Sequence, residues 1–172
     1  MSLLRMLKRN VVAGETSSSE TETVRKIIQS LDQLDPDRAK FIAAFAYLLS
    51  RAARADLHIS LEETRVMEKI VMEHGELPEQ QAAIVIQMAK TQNVLFGGTE
   101  NYLVSREFNS IANQKEKLAL LDCLYAVASA DQSISTIEDN EISQIADELR
   151  IEHRDLIGVR SRYRDKLAVL QS

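Results

Sequence analysis

The sequence predicts an all-α fold, and three observations support this prediction. Apolar residues recur about every 3.6 positions from residue 24 onward, and no segment alternates with a period of two. Only five Gly and two Pro interrupt the 172 residues, so long regular elements are expected. A chain of this length can bury a substantial core as one domain. We therefore expect a single domain of about seven to eight helices, including two pseudo-equivalent helical hairpins.

The N-terminal part differs in composition from the rest. Residues 1–12 combine apolar and basic side chains, a pattern typical of a short amphipathic helix that touches a membrane surface or a partner; a disordered tail is the alternative. Residues 13–23 are small and polar, which indicates a flexible linker. We thus divide the chain into a basic-hydrophobic lead with its linker, 1–23, and a helical domain, 24–172.

Capping residues and apolar periodicity together set the helices of the domain. Starts are indicated by Ser, Thr, Asp or Asn at N-caps and by Pro at first helical positions, and Gly indicates several ends. The predicted helices cover approximately residues 24–34, 36–55, 61–75, 78–93, 100–111, 114–130, 136–149 and 153–170.

Two stretches of the chain repeat one another at an offset of 75 residues. The segment from Leu49 to Ile70 and the segment from Leu124 to Ile145 share eight identities over 22 aligned positions. Each copy contains an Ala-Asp pair, then Ile-Ser, then Glu, with the same spacing. A fixed offset of this kind marks an internal repeat, and it is the basis for the two predicted hairpins.

Each copy places one Asp and one Glu in the link between two helices. Asp56 and Asp131 fall at C-terminal helix ends, where the helix dipole disfavours a carboxylate by about 0.3–1 kcal/mol. An Asx-turn would offset this cost locally. A divalent cation shared with Glu63 and Glu138 would also offset it, if the two links approach each other. The four carboxylates are therefore candidate metal ligands, and a well-made helix corner is the alternative interpretation.

The same links carry helix-capping signals. Ser60 and Ser135 each precede a helix, and Glu63 and Glu138 follow three residues later, which is the spacing of a capping box. Catalytic signatures are lacking: the sequence has no Gly-x-Ser-x-Gly, no Gly-rich phosphate loop and no His-Glu-x-x-His. We therefore expect a non-enzymatic protein, with no cofactor other than a divalent cation at the repeated carboxylates.

Charge and composition narrow the partners and the compartment. A net charge of −5, with no Trp and few aromatics, argues against a nucleic-acid binder. The single cysteine, Cys123, excludes an internal disulfide and is expected to be a buried apolar residue. Neither a membrane span nor a signal peptide is predicted. These features favour a cytoplasmic protein, with peripheral membrane contact through residues 1–12 as the alternative.

The repeated motif resembles the TerB family of tellurite-resistance proteins, in particular its small stand-alone bacterial members. The second copy carries the resemblance best, with Leu124-Tyr-Ala-Val-Ala-Ser-Ala-Asp131 followed by Ile134-Ser135 and Glu138. The family usually has Gly after the Asp, whereas Leu57 and Gln132 stand there in this chain.

This resemblance covers about residues 38–165 and sets the functional expectation. It implies an adaptor or sensor in the response to tellurite or metal-ion stress, with a protein partner that can belong to a membrane-associated complex. It also implies that Asp56, Glu63, Asp131 and Glu138 are the positions that would hold a cation. The alternatives are a divalent-cation-binding protein and a co-chaperone-like or membrane-peripheral docking module.

Overall fold

The computed structural model describes residues 4, 5, 8, 18–53, 61–91, 101–131 and 133–170. From residue 18 onward, the described ranges contain eight α-helices and no strand, which confirms the predicted fold class. The helices are α1 (Ser18–Asp32), α2 (Pro36–Ala53), α3 (Leu61–Gly75), α4 (Glu79–Lys90), α5 (Asn101–Ile111), α6 (Gln114–Ala128), α7 (Thr136–Glu148) and α8 (His153–Ser161). None of these described helices has the length and apolar character needed to cross a membrane.

Helix α2 lies at the centre of the fold. Each residue from 41 to 50 is buried, so this helix is enclosed on all sides rather than on one stripe. It packs against α4, α5, α6 and α7. Phe41 stacks on Phe108 of α5, with ring centroids 5.3 Å apart, and lies 6.0 Å from the ring of Phe45. The buried apolar side chains, Cys123 among them, form one contiguous core around this helix.

The two helix boundaries beside the repeated link recur at the same 75-residue offset as the sequence motif. Helix α2 ends at Ala53 and α6 at Ala128, while α3 begins at Leu61 and α7 at Thr136. The hairpins α2–α3 and α6–α7 pack crosswise, because α3 lies against α6 and α7 lies against α2. The first helix of each hairpin, α2 or α6, is thus covered by the second helix of the other hairpin.

The ends of α3 and α7 share an uncommon backbone conformation. Glu76 and Arg150 both have φ 56°, the left-handed region that favours glycine. After α7, Arg150 N–H donates to Asp147 O and Ile151 N–H donates to Ala146 O, which together make a Schellman motif. These turns send the chain into α4 and α8, so a third helix follows each hairpin.

The structure differs from the sequence-based boundaries at both ends of the domain. Helix α1 begins at Ser18, inside the segment 13–23 that was expected to be a flexible linker. Acidic residues near a helix N-terminus are favoured by the dipole, and Glu22 forms a 3.1 Å ion pair with Lys26 one turn later. The polar composition of this stretch therefore serves a helix start as well as it would serve a linker.

The predicted last helix, 153–170, is wrong beyond Ser161. The chain continues as two short 3₁₀ turns, Arg164–Lys166 and Ala168–Leu170. Between them, Leu167 forms a parallel bridge with Ile134, and both side chains are almost fully buried. The free energy gained from these tertiary contacts exceeds the helix propensity of residues 162–170, because propensity is a weak determinant compared with burial.

The N-terminal lead is described at only three positions. Residues 4, 5 and 8 are helical, Leu4 packs against the core, and the Lys8 ammonium lies 2.7 Å from a carboxylate oxygen of Asp32. These contacts place that part of the lead on the helical domain.

Candidate functional site

The second repeated link is built as a helix corner. Ser135 Oγ accepts the N–H of Glu138, and the Glu138 carboxylate accepts the N–H of Ser135 at 2.7 Å, so the capping box is complete. Ile134 N–H donates to Lys166 O, and Ile134 O accepts the N–H of Ala168. The link is therefore held by its own cap and by the C-terminal segment. Asp131 ends a 3₁₀ turn at the close of α6, and its side chain lies outside the described part.

The first repeated link falls mostly outside the described residues. Asp56 and Ser60 both lie in the range 54–60, so the structure does not test their proposed roles. Glu63 lies in the first turn of α3 and is exposed, where the positive end of the helix dipole favours its charge.

Whether the four repeated carboxylates converge stays a prediction. Glu138 is half-buried, and one of its oxygens is already engaged by the Ser135 N–H. A cation at this position would have to use the other oxygen or displace that bond. Among the residues that the structure describes, no group of three or more His, Cys, Asp and Glu side chains is placed to hold a metal ion.

A buried arginine joins the two hairpins. The Arg51 side chain, on α2, is only 7% exposed and donates to both oxygens of Glu148 on α7, at 2.7 and 3.2 Å. Arg51 Nε also donates to Glu141 at 2.8 Å. On the other side, Ser105 Oγ of α5 donates to Glu148 at 2.6 Å. This cluster ties α2, α5 and α7 together by charge-assisted hydrogen bonds.

The electrostatics of this cluster follow from its geometry. Burial by itself would raise the pKa of Glu148, but hydrogen bonds from Arg51 and Ser105 outweigh burial and hold that pKa below its usual range. Burial would lower the pKa of Arg51, and its two carboxylate partners raise it above the ordinary value instead. Both groups are therefore charged at neutral pH and serve as a fixed ion pair.

A second polar cluster connects α6, α7 and α8. The buried Asp139 accepts three hydrogen bonds from the Arg160 guanidinium, the shortest at 2.8 Å, and one from the Tyr125 hydroxyl at 3.0 Å. Burial opposes ionisation of Asp139, but these donors hold its pKa below the ordinary value. Burial together with the Asp139 charge raises the pKa of Tyr125, so this hydroxyl stays a donor.

A third cluster lies next to the second one. The Tyr163 ring stacks on Tyr125, with centroids 5.6 Å apart, and its hydroxyl donates to Asp122 at 2.7 Å. His74, at the end of α3, approaches the other oxygen of Asp122 at 2.7 Å through Nδ1. A carboxylate only accepts, so the proton lies on Nδ1 of the ring. This arrangement fastens α3 and the C-terminal segment to α6.

Sequence reasoning missed Arg51, Asp122 and Asp139. The available signal was a charged residue within an otherwise apolar helix stripe. Arg51 follows ten consecutive residues that are buried in the structure, and Asp122 interrupts a Leu-rich run. Such a residue indicates a buried partner, since an unpaired buried charge is very costly, but the sequence does not say which partner.

Comparison with known proteins agrees with the helical arrangement. A family model described as "Tellurite resistance protein TerB" matches residues 41–161, which is well over half of the chain. No curated protein and no solved structure matches it. The matched range runs from within α2 to the last residue of α8, so it contains both hairpins and the third helix that follows each. The chain belongs to the TerB family of tellurite resistance proteins.

Proposed function

We propose that this protein is a non-enzymatic cytoplasmic adaptor or sensor of the TerB type, acting in the response to tellurite or metal-ion stress. Family membership supports an action in tellurite or metal-ion stress, and the contacts of the buried polar groups support a non-enzymatic adaptor role. Arg51, Asp139 and Asp122 each form hydrogen bonds with side chains from other segments of the fold. This is the observation that carries the proposal, because groups fixed in closed pairs hold a scaffold in shape and are not poised for proton transfer.

A growth assay tests the biological part of the proposal. A strain that lacks the gene should grow less well on tellurite or on raised metal concentrations, and the wild-type gene should restore growth. The matched variant is Arg51→Met, which removes the ion pair between the hairpins while leaving the surface unchanged. It should restore growth poorly, in proportion to its loss of folded protein. Equal growth of the deleted and restored strains under every stress would contradict the proposal.

Divalent-cation binding is the second candidate function. The observation that favours it is the position of Asp131 at the end of α6, where the helix dipole disfavours a carboxylate and a cation would offset the cost. Asp56, Glu63 and Glu138 would complete the site. Hard divalent cations take such oxygen ligands at about 2.3–2.6 Å for Ca²⁺.

Thermal unfolding with Ca²⁺, Mg²⁺, Mn²⁺ or Zn²⁺, and with chelator, separates the two candidates. A cation at a hundredfold excess over its Kd should stabilise the fold by about 2.7 kcal/mol. The double variant Asp56→Asn with Asp131→Asn should lose this gain. If no cation changes the melt, the links are helix corners and the adaptor proposal stands without a metal.

The third alternative, docking of the lead at residues 1–12 to a membrane or a co-chaperone partner, has a structural cost. Leu4 packs against the core and Lys8 pairs with Asp32. Docking that lifts the lead off the domain would break both contacts. Partition of the full chain and of a Lys8→Glu variant into anionic vesicles tests this alternative, because an electrostatic lead should lose binding with the charge reversal.

A further inference from the structure

A surface groove runs between α5 and the end of α7. It has a volume of about 510 Å³, within the range of about 300–1,000 Å³ that is usual for ligand sites. Tyr102, Arg106 and Ser110 lie four residues apart along α5 and so form one stripe of that helix. Arg150, in the turn after α7, lines the opposite side. The Tyr102 side chain is 60% exposed, which is high for an aromatic residue.

The available charge in this groove is positive. Arg106 and Arg150 are both exposed, and neither forms an ion pair or side-chain hydrogen bond with another residue of the described part. The one acidic lining residue, Glu148, is neutralised by Arg51 and also accepts from Ser105. Two uncommitted guanidinium groups on a protein of net charge −5 make a local site for anions.

The groove also contains an unsatisfied acceptor. Asn109 Nδ2 donates to Glu148 O at 2.8 Å, which fixes the orientation of the amide. Its Oδ1 atom is buried and is the one buried side-chain atom in the described ranges that has no hydrogen-bond partner. A buried acceptor without a partner costs about 1–3 kcal/mol. This atom is covered by protein, so an occupant of the groove does not reach it, and recognition rests on the exposed side chains instead.

We propose that this groove binds an acidic, extended peptide segment of a protein partner. Its carboxylates pair with the exposed Arg106 and Arg150, and the exposed Tyr102 ring covers the apolar part of the segment. Free phosphate fits less well, since it would leave most of the groove of about 510 Å³ empty. The inference deepens the adaptor proposal and rests on it only in taking the occupant to be part of a protein.

Binding of a short fluorescein-labelled peptide of alternating Glu and Gly, measured by anisotropy on the full chain at low ionic strength, tests the inference. The wild-type protein should bind this peptide and not its Gln-Gly counterpart. Arg106→Glu and Arg150→Glu should each weaken binding at least about tenfold, because each replaces a charge-assisted bond with repulsion. The matched control is Arg65→Glu, an exposed arginine on α3, which should leave binding unchanged.

Three results would overturn the inference. They are no binding by the wild type, equal weakening by Arg65→Glu, and displacement of the peptide by inorganic phosphate at an equal concentration. Circular dichroism melts show whether each variant is folded. Arg106 lies in the middle of α5, so its charge reversal does not alter the turn after α7 that contains Arg150. Peptide binding is measured without tellurite or metal, so its failure leaves the growth assay as an independent test of the proposed function.

Discussion

Replacement of Arg51 by Met should destabilise the fold more than removal of an exposed charged side chain would. Arg51 is 7% exposed and holds Glu148 and Glu141 from a different hairpin. Removing one partner of a buried ion pair costs about 3–5 kcal/mol, because the remaining charge stays buried without compensation. The two glutamates are 22% and 28% exposed, so water reaches them in part, and we expect a loss of about 2–3 kcal/mol.

Acid conditions should reduce this loss, and the direction follows from the pKa of Glu148. In the wild type that pKa is lowered, so the carboxylate contributes stability above the unfolded pKa of about 4.3, and the contribution is lost as the pH falls through the folded pKa. In Arg51→Met, burial acts without the guanidinium and the pKa rises. In the variant, protonation of the Glu148 carboxyl group removes the free-energy cost of burying an unpaired charge. The deficit relative to wild type should therefore shrink below about pH 4.

Urea unfolding followed by far-ultraviolet circular dichroism, at neutral pH and near pH 3, measures both effects. The control is Arg154→Met, since Arg154 is 82% exposed and pairs with Glu152 at 2.9 Å. Its loss should stay below about 1 kcal/mol, as for other exposed pairs. If Arg51→Met costs no more than Arg154→Met, or if its deficit does not change with pH, Arg51 does not act as a buried clamp.

The other predictions concern caps and glycines. Ser135→Ala should lose about 0.5–2 kcal/mol in urea unfolding, because it removes an N-cap; no loss would mean that the C-terminal segment alone holds the corner. Gly75→Ala should destabilise by about 1–3 kcal/mol, since its Cβ would lie 2.9 Å from Phe45 Cζ in the core. Gly158→Ala, with nothing within 4 Å of the added carbon, should instead stabilise by up to about 1 kcal/mol, and equal effects at the two glycines would refute the packing argument. Arg150→Gly should raise the melting temperature, because it relieves a left-handed φ, while it weakens peptide binding; a variant that is less stable would contradict this.

Local chemistry explains which parts of the fold were predictable from sequence. The capping box of Ser135 and Glu138 depends on residues three apart, and it is present in the structure. The helix that was expected to reach residue 170 depends on distant contacts instead. Tyr163 reaches Asp122, and Leu167 pairs with Ile134, so the chain leaves the helix at Ser161.

The candidate sites divide in the same way. The repeated carboxylates were visible because the sequence repeats them, yet their convergence depends on how two links approach in space. The partnership of Arg51 with Glu148 joins positions 97 residues apart, and no local pattern encodes it. The groove beside Arg150 depends on the packing of α5 against α7, which periodicity does not specify.

Differences between the two halves indicate where function is to be sought. The hairpins share the two helix limits beside the repeated link, and a left-handed residue follows each hairpin, so these features serve the fold. The polar contacts between hairpins are not repeated, since α2 meets α7 through Arg51 whereas α6 meets α3 through Asp122. Helices α1 and α5 each precede a hairpin, but α1 packs mainly on α4 and α2, while α5 packs on α2 and α7. Among the described helices, α1 therefore does not repeat the packing by which α5 forms the groove with α7. The groove belongs to one half only, and its two arginines form no ion pair with the residues that the structure describes. It is therefore a better candidate for partner recognition than the links that both halves share.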